Sequence, residues 1–395
     1  MEGTEFPSYS VRVKASEYTL WKGDGPLLNS LDMELTERCN NNCMHCYINL
    51  PANDPSQKRE LSTDEVKEIL AEAATVGALS VRFTGGEPLI RDDFQEVYTF
   101  ARTRGLRVLL FTNACLITPE LADLFARIPP LEKIEVTVYG LTRESYEGVT
   151  RVKGSYDQFR RGVDLLLAKE IPFVVKSALL PPNRHEQELL EKWAGTIPAV
   201  EKPLTFTLLL DLRGRRDSLA KNQNIQGLRP FPDEYVALLS RDRETYLAGM
   251  KEFCSRFLAS SGDALFPCGA GQKICIDAYG LAQPCLLLRH PDLLYDLKRG
   301  SIKEALAYFA RRLPEMRSTN PLYLSRCARC FLKGLCEQCP ARSWMEHGDL
   351  DTPVDYFCEV THALACDLGL LQPGEKAWEV ENAGERIQLF VGSSS

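Results

Sequence analysis

Predicted strands and helices alternate along roughly the first 200 residues of the chain. Short apolar runs typical of strands are followed by stretches in which apolar residues recur at helical spacing. Two strands joined by a helix run parallel, because the helix returns the chain to the same end of the sheet. Six such repeats predict an α/β fold in which right-handed crossovers curl the sheet into a partial (β/α)6 TIM-like barrel.

Capping residues and glycines mark where the helices begin and end. Ser62 and Glu65 form a capping box that opens a helix over about 62–76, and Thr118 with Pro119 opens a later helix. The apolar run 107–111 predicts a strand buried on both faces. The other predicted strands are 32–36, 79–83, 133–138, 173–179 and 204–210, and the other helices are 93–104, 155–169 and 185–195.

The pattern becomes irregular after residue 210 and changes again near residue 262. A helical pattern covers about 232–259, and Arg213, Arg215 and Arg216 indicate a solvated loop. Beyond residue 262 the chain is rich in cysteine. We therefore expect an N-terminal extension at 1–30, the barrel with linker helices at 31–262, a cysteine-rich iron–sulfur cluster domain at 263–366 and a C-terminal tail at 367–395.

The cysteine content decides which chemistry the chain can carry. The chain has 14 cysteines and a net charge of −7, which argues against a nucleic-acid partner. Its N-terminus lacks a signal sequence and no apolar run reaches the roughly 18 residues of a membrane span, so we predict a cytoplasmic protein without a membrane partner. Clustered cysteines in that compartment indicate metal or iron–sulfur ligation rather than disulfides.

Three cysteines follow the first predicted strand in a CxxxCxxC run: Cys39, Cys43 and Cys46. Three thiolates on a four-iron cube leave one iron without a protein ligand, and an open iron lets a substrate or cofactor coordinate. Two alternatives remain at this point. His45 could complete a structural zinc site, which requires four ligands, or the cysteines could be buried residues that bind no metal.

A second motif, Thr84-Gly85-Gly86-Glu87-Pro88, follows the next strand. Together the two motifs resemble the radical S-adenosylmethionine (SAM) superfamily. The resemblance implies that Cys39, Cys43 and Cys46 bind the catalytic [4Fe–4S] cluster, and that Gly85, Gly86 and Glu87 contact SAM. It also assigns SAM contacts to His45, Thr137 and Arg151, of which Thr137 could instead be a packing residue and Arg151 a member of a surface ion pair.

The C-terminal cysteines resemble the SPASM domain, which binds auxiliary Fe–S clusters. The resemblance assigns Cys268, Cys285 and Cys339 to one cluster. Cys275 is a fourth ligand or a cysteine packed in a strand. The second cluster would use Cys327, Cys330, Cys336 and Cys358, although the last spacing, CxxC, is one residue shorter than usual. Zinc ribbons are the alternative for this region. Cys115, Cys254 and Cys366 have no assigned partner and are expected to be buried.

The resemblance implies an oxidoreductase that cleaves SAM reductively to a 5′-deoxyadenosyl radical, which takes a hydrogen from the substrate. We expect oxidation or crosslinking of a peptide. One alternative is oxidation or decarboxylation of a small molecule such as a porphyrin, a sugar or an antibiotic precursor, and another is a non-catalytic metal-binding or electron-transfer scaffold. Sulfatase maturases carry an Asp at the position of Leu286, so the resemblance does not favour that activity for this chain. About 30 residues before the first strand are too few for the leader-binding domain of many peptide maturases, so either a separate recognition protein or a substrate without a leader is expected. Flavodoxin or ferredoxin is the expected electron donor.

Overall fold

The computed structural model of the protein describes residues 28–200, 204, 206–257 and 262–392. Nearly all of the predicted N-terminal extension lies outside the described residues. The strands are β1 (Ser30–Thr36), β2 (Arg38–Cys39), β3 (Leu50–Pro51), β4 (Ser80–Gly85), β5 (Arg107–Thr112), β6 (Leu131–Thr137), β7 (Phe173–Ala178), β8 (Phe206–Thr207), β9 (Ile274–Ile276), β10 (Leu281–Gln283) and β11 (Tyr295–Asp296).

Helices follow most of the long strands. They are α1 (Thr63–Thr75), α2 (Phe94–Thr103), α3 (Pro119–Arg127), α4 (Arg143–Thr150), α5 (Ser155–Ala168), α6 (Gln187–Ala194), α7 (Leu219–Leu228), α8 (Pro232–Leu239), α9 (Arg243–Phe257), α10 (Ile302–Arg312), α11 (Pro321–Ser325), α12 (Pro340–His347), α13 (Asp355–Asp367) and α14 (Ala383–Val391). Ser62 caps α1 with the predicted capping box, and Thr118 caps α3. None of the helices in the described ranges is long and apolar enough to cross a membrane.

The strands of the main sheet confirm the predicted α/β architecture. Six parallel strands lie side by side in chain order, β1-β4-β5-β6-β7-β8, as in a partial (β/α)6 barrel. The sheet continues beyond β1 with β9, which runs parallel to β1, and with the antiparallel strands β10 and β11. These three strands come from the cysteine-rich region, so hydrogen-bonded sheet crosses the boundary predicted near residue 262.

The two faces of the parallel sheet differ in polarity. Phe83 packs its ring 6.2 Å from that of Phe94 in α2, so its face of the sheet lies against the helices. The opposite, concave face carries Glu34, Thr84 and Glu135, since side chains alternate along each strand. The expectation that 107–111 is buried on both faces is wrong. On the concave face, Leu109 and Phe111 are only half-buried and Arg107 is exposed.

Other elements differ from their predicted bounds. The predicted strand 204–210 is paired only at Phe206–Thr207 among the described residues, and the pattern at 232–259 is broken into α8 and α9 around Ser240. The short helices α4 and α7 were not predicted. Both are rich in polar residues, and α7 also lacks a clear apolar face. A second, smaller core joins α9 to α13 and to residues 330–335.

The packing of α5 gives a test of the barrel. A Cβ atom at Gly162 would lie 1.9 Å from the carbonyl oxygen of Ala114, in the loop after β5. We expect Gly162→Ala to destabilise the fold by about 1 to 3 kcal/mol, because helix and loop must separate. The matched control is Gly227→Ala in α7, where a Cβ meets nothing within 4 Å. A melting temperature unchanged in Gly162→Ala, with Gly227→Ala equal or higher, would contradict this packing.

Candidate functional site: three groups of cysteine thiols

The first thiol group lies in the loop that leaves β2 at the carboxyl end of the parallel strands. The loop docks on α4, where the amides of Asn42 and Met44 donate to the carbonyls of Thr150 and Val149 at 3.0 Å each. A turn from Cys43 to Cys46, with an N–O distance of 3.2 Å, brings the last two cysteines of the motif together. The fold therefore holds the Cys39–Cys46 loop where barrel enzymes place their chemistry.

Burial and mutual repulsion oppose ionisation of these thiols. Burial raises the pKa of Cys39, and the charge of Cys43 raises it further. Burial likewise raises the pKa of Cys43, with the charge of Cys46 next. A metal cluster removes this penalty, because coordination deprotonates a thiol and its charge balances the thiolates. Two backbone amides already donate to the sulfurs, from Asn41 to Cys39 at 3.3 Å and from Asn49 to Cys46 at 3.4 Å. The residues present fit an iron–sulfur cluster.

The glycines of the second motif hold that motif against the start of the cysteine loop. The amide of Gly86 donates to the carbonyl of Thr36 at 2.7 Å, and a Cβ on Gly86 would lie 2.1 Å from the carbonyl oxygen of Arg38. Gly85 has φ +126°, and its Cβ would lie 2.0 Å from Thr36 O. Only glycine fits at either position, so the Thr84–Pro88 turn and the cysteine loop form one unit.

Glu87 is a buried carboxyl between this turn and the end of β5. It accepts hydrogen bonds from the hydroxyl of Thr112 at 2.8 Å and from the amides of Asn113 and Leu89 at 2.7 and 3.2 Å. Burial raises its pKa to about 7, against the effect of those three donors. A carboxylate has about four acceptor positions, so one remains for a further donor such as an ammonium group.

Of the three weaker assignments, His45 belongs to the first loop itself and Arg151 contacts that loop. The ring of His45 lies edge-on 5.3 Å from that of Tyr139, and burial lowers its pKa to about 4. Arg151 donates to the carbonyl of Asn42 at 2.7 Å and to its side-chain oxygen at 3.1 Å, so its partner is the cysteine loop rather than a carboxylate. Thr137 ends β6 beside Lys176 of β7, on the concave face.

Arg213 is a site residue that the sequence did not reveal. The prediction of a solvated loop is wrong for Arg213, which is 1% exposed, whereas Arg215 is half-buried and Arg216 is exposed. Its guanidinium donates to the carbonyls of Cys46 and Asn49 at 3.3 and 3.2 Å and to Asp217 at 2.6 Å. An arginine run beside an aspartate is typical of an exposed loop, and the carbonyls that bury it lie far away in sequence. No local signal distinguishes the two cases.

Asp217 and Arg215 extend this contact. Burial alone would raise the pKa of Asp217, but the hydrogen bond from Arg213 and the charge of Arg215 outweigh it and hold the pKa well below its usual value. A carboxyl with a lowered pKa binds its proton less readily in the folded state. The pairing therefore stabilises the fold at neutral pH, and that stabilisation is lost as the pH falls below about 4.

A chain of ion pairs continues from there to the second thiol group. Arg215 pairs with Glu37, and Glu37 accepts from Arg289 at 3.0 Å and from the hydroxyl of Tyr279 at 2.7 Å. Arg289 also pairs with Glu34, and it lies four residues after Cys285. We call the series Arg213–Asp217–Arg215–Glu37–Arg289 the arginine network. It joins the Cys39–Cys46 loop to the Cys285 loop; the side chains of Arg213, Glu37 and Arg289 are at most 9% exposed, and Asp217 is exposed.

The second thiol group contains Cys268, Cys285 and Cys339 but not Cys275. Burial raises the pKa of the Cys285 thiol to about 11, and the charges of Cys339 and Cys268 raise it further. Cys275 is fully buried in β9, where the side chain of Gln283 donates to its sulfur at 3.6 Å. Of the two readings for Cys275, the structure shows the packed cysteine.

The third thiol group lines one small cavity. Its four cysteines are Cys327, Cys330, Cys336 and Cys358, and Arg326, Lys333, His362 and Trp378 share the cavity wall. Burial raises the pKa of Cys327 to about 11 and that of Cys330 to about 12. Within the described ranges, no three Cys, His, Asp or Glu side chains already stand in the arrangement of a single-ion site.

Comparisons with known proteins place the chain in a family. The family model described as the radical SAM superfamily matches residues 33–192. The chain is 25% identical over 334 residues to the AdoMet-dependent heme synthase of Methanosarcina barkeri, covering 80% of this chain and 92% of that protein. It is 30% identical over 277 residues to the mycofactocin maturase MftC of Mycobacterium tuberculosis, covering 69% of this chain and 67% of that protein. Its fold is similar to that of native anSMEcpe with bound AdoMet and Cp18Cys peptide, with a TM-score of 0.58, 16% identity and coverage of 86% and 96%.

A barrel with a cysteine loop and a glycine turn at its carboxyl edge defines a SAM-dependent iron–sulfur enzyme. The chain belongs to the radical SAM superfamily and has the C-terminal SPASM character of its relatives. Its cofactors are accordingly a [4Fe–4S] cluster, SAM and auxiliary Fe–S clusters.

The buried position of Arg213 gives a second test. We expect Arg213→Gln to destabilise the protein by about 2 to 3 kcal/mol, because two loop carbonyls and Asp217 lose a charged donor. The matched control is Arg241→Gln, which breaks ion pairs to Glu188 and Glu191 on the surface and should change stability by less than about 0.5 kcal/mol. Melting temperatures measured anaerobically compare the two, and equal losses would contradict the assigned role.

Proposed function

We propose that this chain is a radical SAM peptide-modifying oxidoreductase. The observation that carries the proposal is the hydrogen-bonded unit formed by the cysteine loop and the Thr84–Pro88 turn. Amides of Gly86 and Glu87 donate to carbonyls of Thr36 and Arg38, so a cluster on the loop and SAM on the turn would be adjacent. When bound and reduced, the cluster supplies the electron that cleaves SAM to methionine and the 5′-deoxyadenosyl radical.

The chain's own residues would hold and orient these groups. We assign Cys39, Cys43 and Cys46 as cluster ligands that leave one iron open for SAM. The free acceptor position of Glu87 suits the ammonium group of SAM, beside the backbone of Gly85 and Gly86. His45, at the wall near Tyr139, suits the adenine, and Thr137 supplies a hydroxyl on the concave face. Arg151 would act by holding the loop at Asn42.

The concave face is our candidate substrate chamber. Asp32 pairs with Arg82 at 3.1 Å, Glu135 pairs with Lys176, and both cations lie over the ring of Phe111. Opposite charges are balanced there and donors alternate with acceptors. Such a lining suits a peptide, whose backbone offers both donors and acceptors, better than a ligand of one charge. MftC, at 30% identity, is named a maturase, which supports the same reading.

The remaining cysteines and partners complete the proposal. Residues 263–366 would hold two auxiliary clusters, one on Cys268, Cys285 and Cys339 and one on the four cysteines of the third group. These clusters could take an electron from the oxidised substrate. A flavodoxin or ferredoxin as donor, a separate recognition protein for the peptide and a cytoplasmic location stay predictions.

A second candidate function is oxidation of a porphyrin. It is favoured by the extent of one match, since the heme synthase of M. barkeri aligns over 92% of its own length, whereas MftC aligns over 67%. The two candidates share the SAM chemistry and differ only in what occupies the chamber.

Loss of one cluster ligand tests the shared chemistry. We expect the reconstituted protein to form 5′-deoxyadenosine from SAM and dithionite under anaerobic conditions, and Cys43→Ala to reduce this at least about a hundredfold, because its cluster lacks a ligand. The matched control, Cys254→Ala, removes a buried cysteine of the smaller core and should keep the activity. Cleavage that survives in Cys43→Ala, or none in the wild type, would favour the scaffold alternative.

Assays with two different substrates distinguish the two candidate functions. The enzyme with SAM and dithionite is offered a peptide library in one arm and iron coproporphyrin in the other, and products are measured by mass spectrometry. We expect a SAM-dependent mass loss of about 2 Da on a peptide, as an oxidation removes two hydrogens. Change only in the porphyrin arm would replace the peptide proposal, and change in neither arm with intact SAM cleavage would contradict both.

A further inference from the structure

Arg326 is the charged side chain closest to the sulfur atoms of the third thiol group among the contacts the structure records. Its Nη2 donates to the Sγ of Cys358 at 3.5 Å, and its side chain forms part of the cavity wall with Cys327, Cys330 and Cys336. The guanidinium stacks over the ring of Trp378 at 4.8 Å from the centroid, which fixes its plane. The position is therefore set by the fold rather than by solvent.

One N–H donor of the Arg326 guanidinium lacks a hydrogen-bond acceptor in the described part of the chain. Its Nε is buried and has no hydrogen-bond partner among the described residues. The other recorded partner of the guanidinium is the carboxylate of Asp355 at 3.0 Å, and that side chain is 73% exposed, so water screens the pair. A buried, unpaired N–H costs free energy unless the group it faces accepts a hydrogen bond. Arg326 is part of the wall of the four-cysteine cavity, so a group bound there is the acceptor that we assign to this donor.

A second cation faces the same cavity, and the histidine there is already engaged. Lys333 donates to the hydroxyl of Tyr323 at 3.1 Å while its side chain lines the cavity. The Nδ1 of His362 lies 2.8 Å from the carbonyl oxygen of Cys358, and its Nε2 accepts from the amide of Ala377 at 3.2 Å. That pattern describes a neutral imidazole, so the fixed positive charges at the cavity are Arg326 and Lys333.

We propose that Arg326 donates its free Nε–H, with its charge, to a sulfur of the cluster held by Cys327, Cys330, Cys336 and Cys358, and so raises the reduction potential of that cluster. The inference rests on the proposed function, which supplies the cluster. One-electron reduction adds a negative charge to a buried group without making or breaking a bond. A fixed cation and a hydrogen bond to sulfur both favour the reduced form. Arg326 thereby makes this cluster an electron acceptor.

The experiment is a potentiometric titration of the full-length, reconstituted protein followed by electron paramagnetic resonance. The signal of this cluster is identified by its loss in Cys330→Ala. We expect Arg326→Gln to lower the ratio of reduced to oxidised cluster at a fixed potential at least tenfold, equivalent to about 59 mV for one electron. Arg326→Lys keeps the charge without the Nε donor and should fall between the two. It also serves where the Gln variant does not fold.

The matched control is Arg329→Gln, which removes the same charge from an exposed side chain three residues away. The inference predicts that its titration follows the wild type. Equal midpoints in wild type, Arg326→Gln and Arg326→Lys, with the cluster present, would overturn the role of Arg326 and leave the proposed function standing. The absence of any signal that depends on Cys330 would instead overturn the auxiliary cluster itself, and the inference with it.

Discussion

Burial of charge between the cysteine loops is the constraint on which the site depends. Arg213 donates hydrogen bonds to carbonyls of the first loop and to Asp217. At the other end of the network, Arg289 pairs with Glu34 and Glu37, which are each 1% exposed. Buried ion pairs rarely add much stability over apolar packing, but they fix geometry, because any displacement leaves a buried charge without its partner. In this protein that property sets where the first two thiol groups stand relative to each other.

The thiols and two glycines determine the rest of the site. Burial raises the thiol pKa of one or more cysteines in each group, among them Cys39, Cys285 and Cys330, so these cysteines are poor thiolates until a cation binds. The fold thus prepares three places that favour a metal cluster over protons. The two glycines of the Thr84–Pro88 turn are required by close approach to β1 and β2, so this turn is built onto the cysteine loop rather than placed beside it.

The parallel sheet and its helix caps could be predicted from sequence, because each rests on local periodicity or spacing. The grouping of the C-terminal cysteines follows from the resemblance to the SPASM domain and stays a prediction. The burial of Arg213 could not be, since its carbonyl partners lie far away in the chain. The exposure of one face at 107–111 was missed for a related reason: four apolar residues in a row do not show whether the second face of the strand is covered. Cys275 left two readings open because spacing does not show whether a thiol points to its neighbours or into a sheet.

The central claim is that three separate thiol groups form three cluster sites. Counting iron, zinc and acid-labile sulfide per chain after anaerobic reconstitution tests it most directly, in the wild type and in Cys43→Ala, Cys285→Ala and Cys330→Ala. The account predicts about twelve irons in the wild type, as three four-iron clusters require, and a loss of about four in each variant. Zinc in place of iron, or a single variant that empties all three sites, would contradict it.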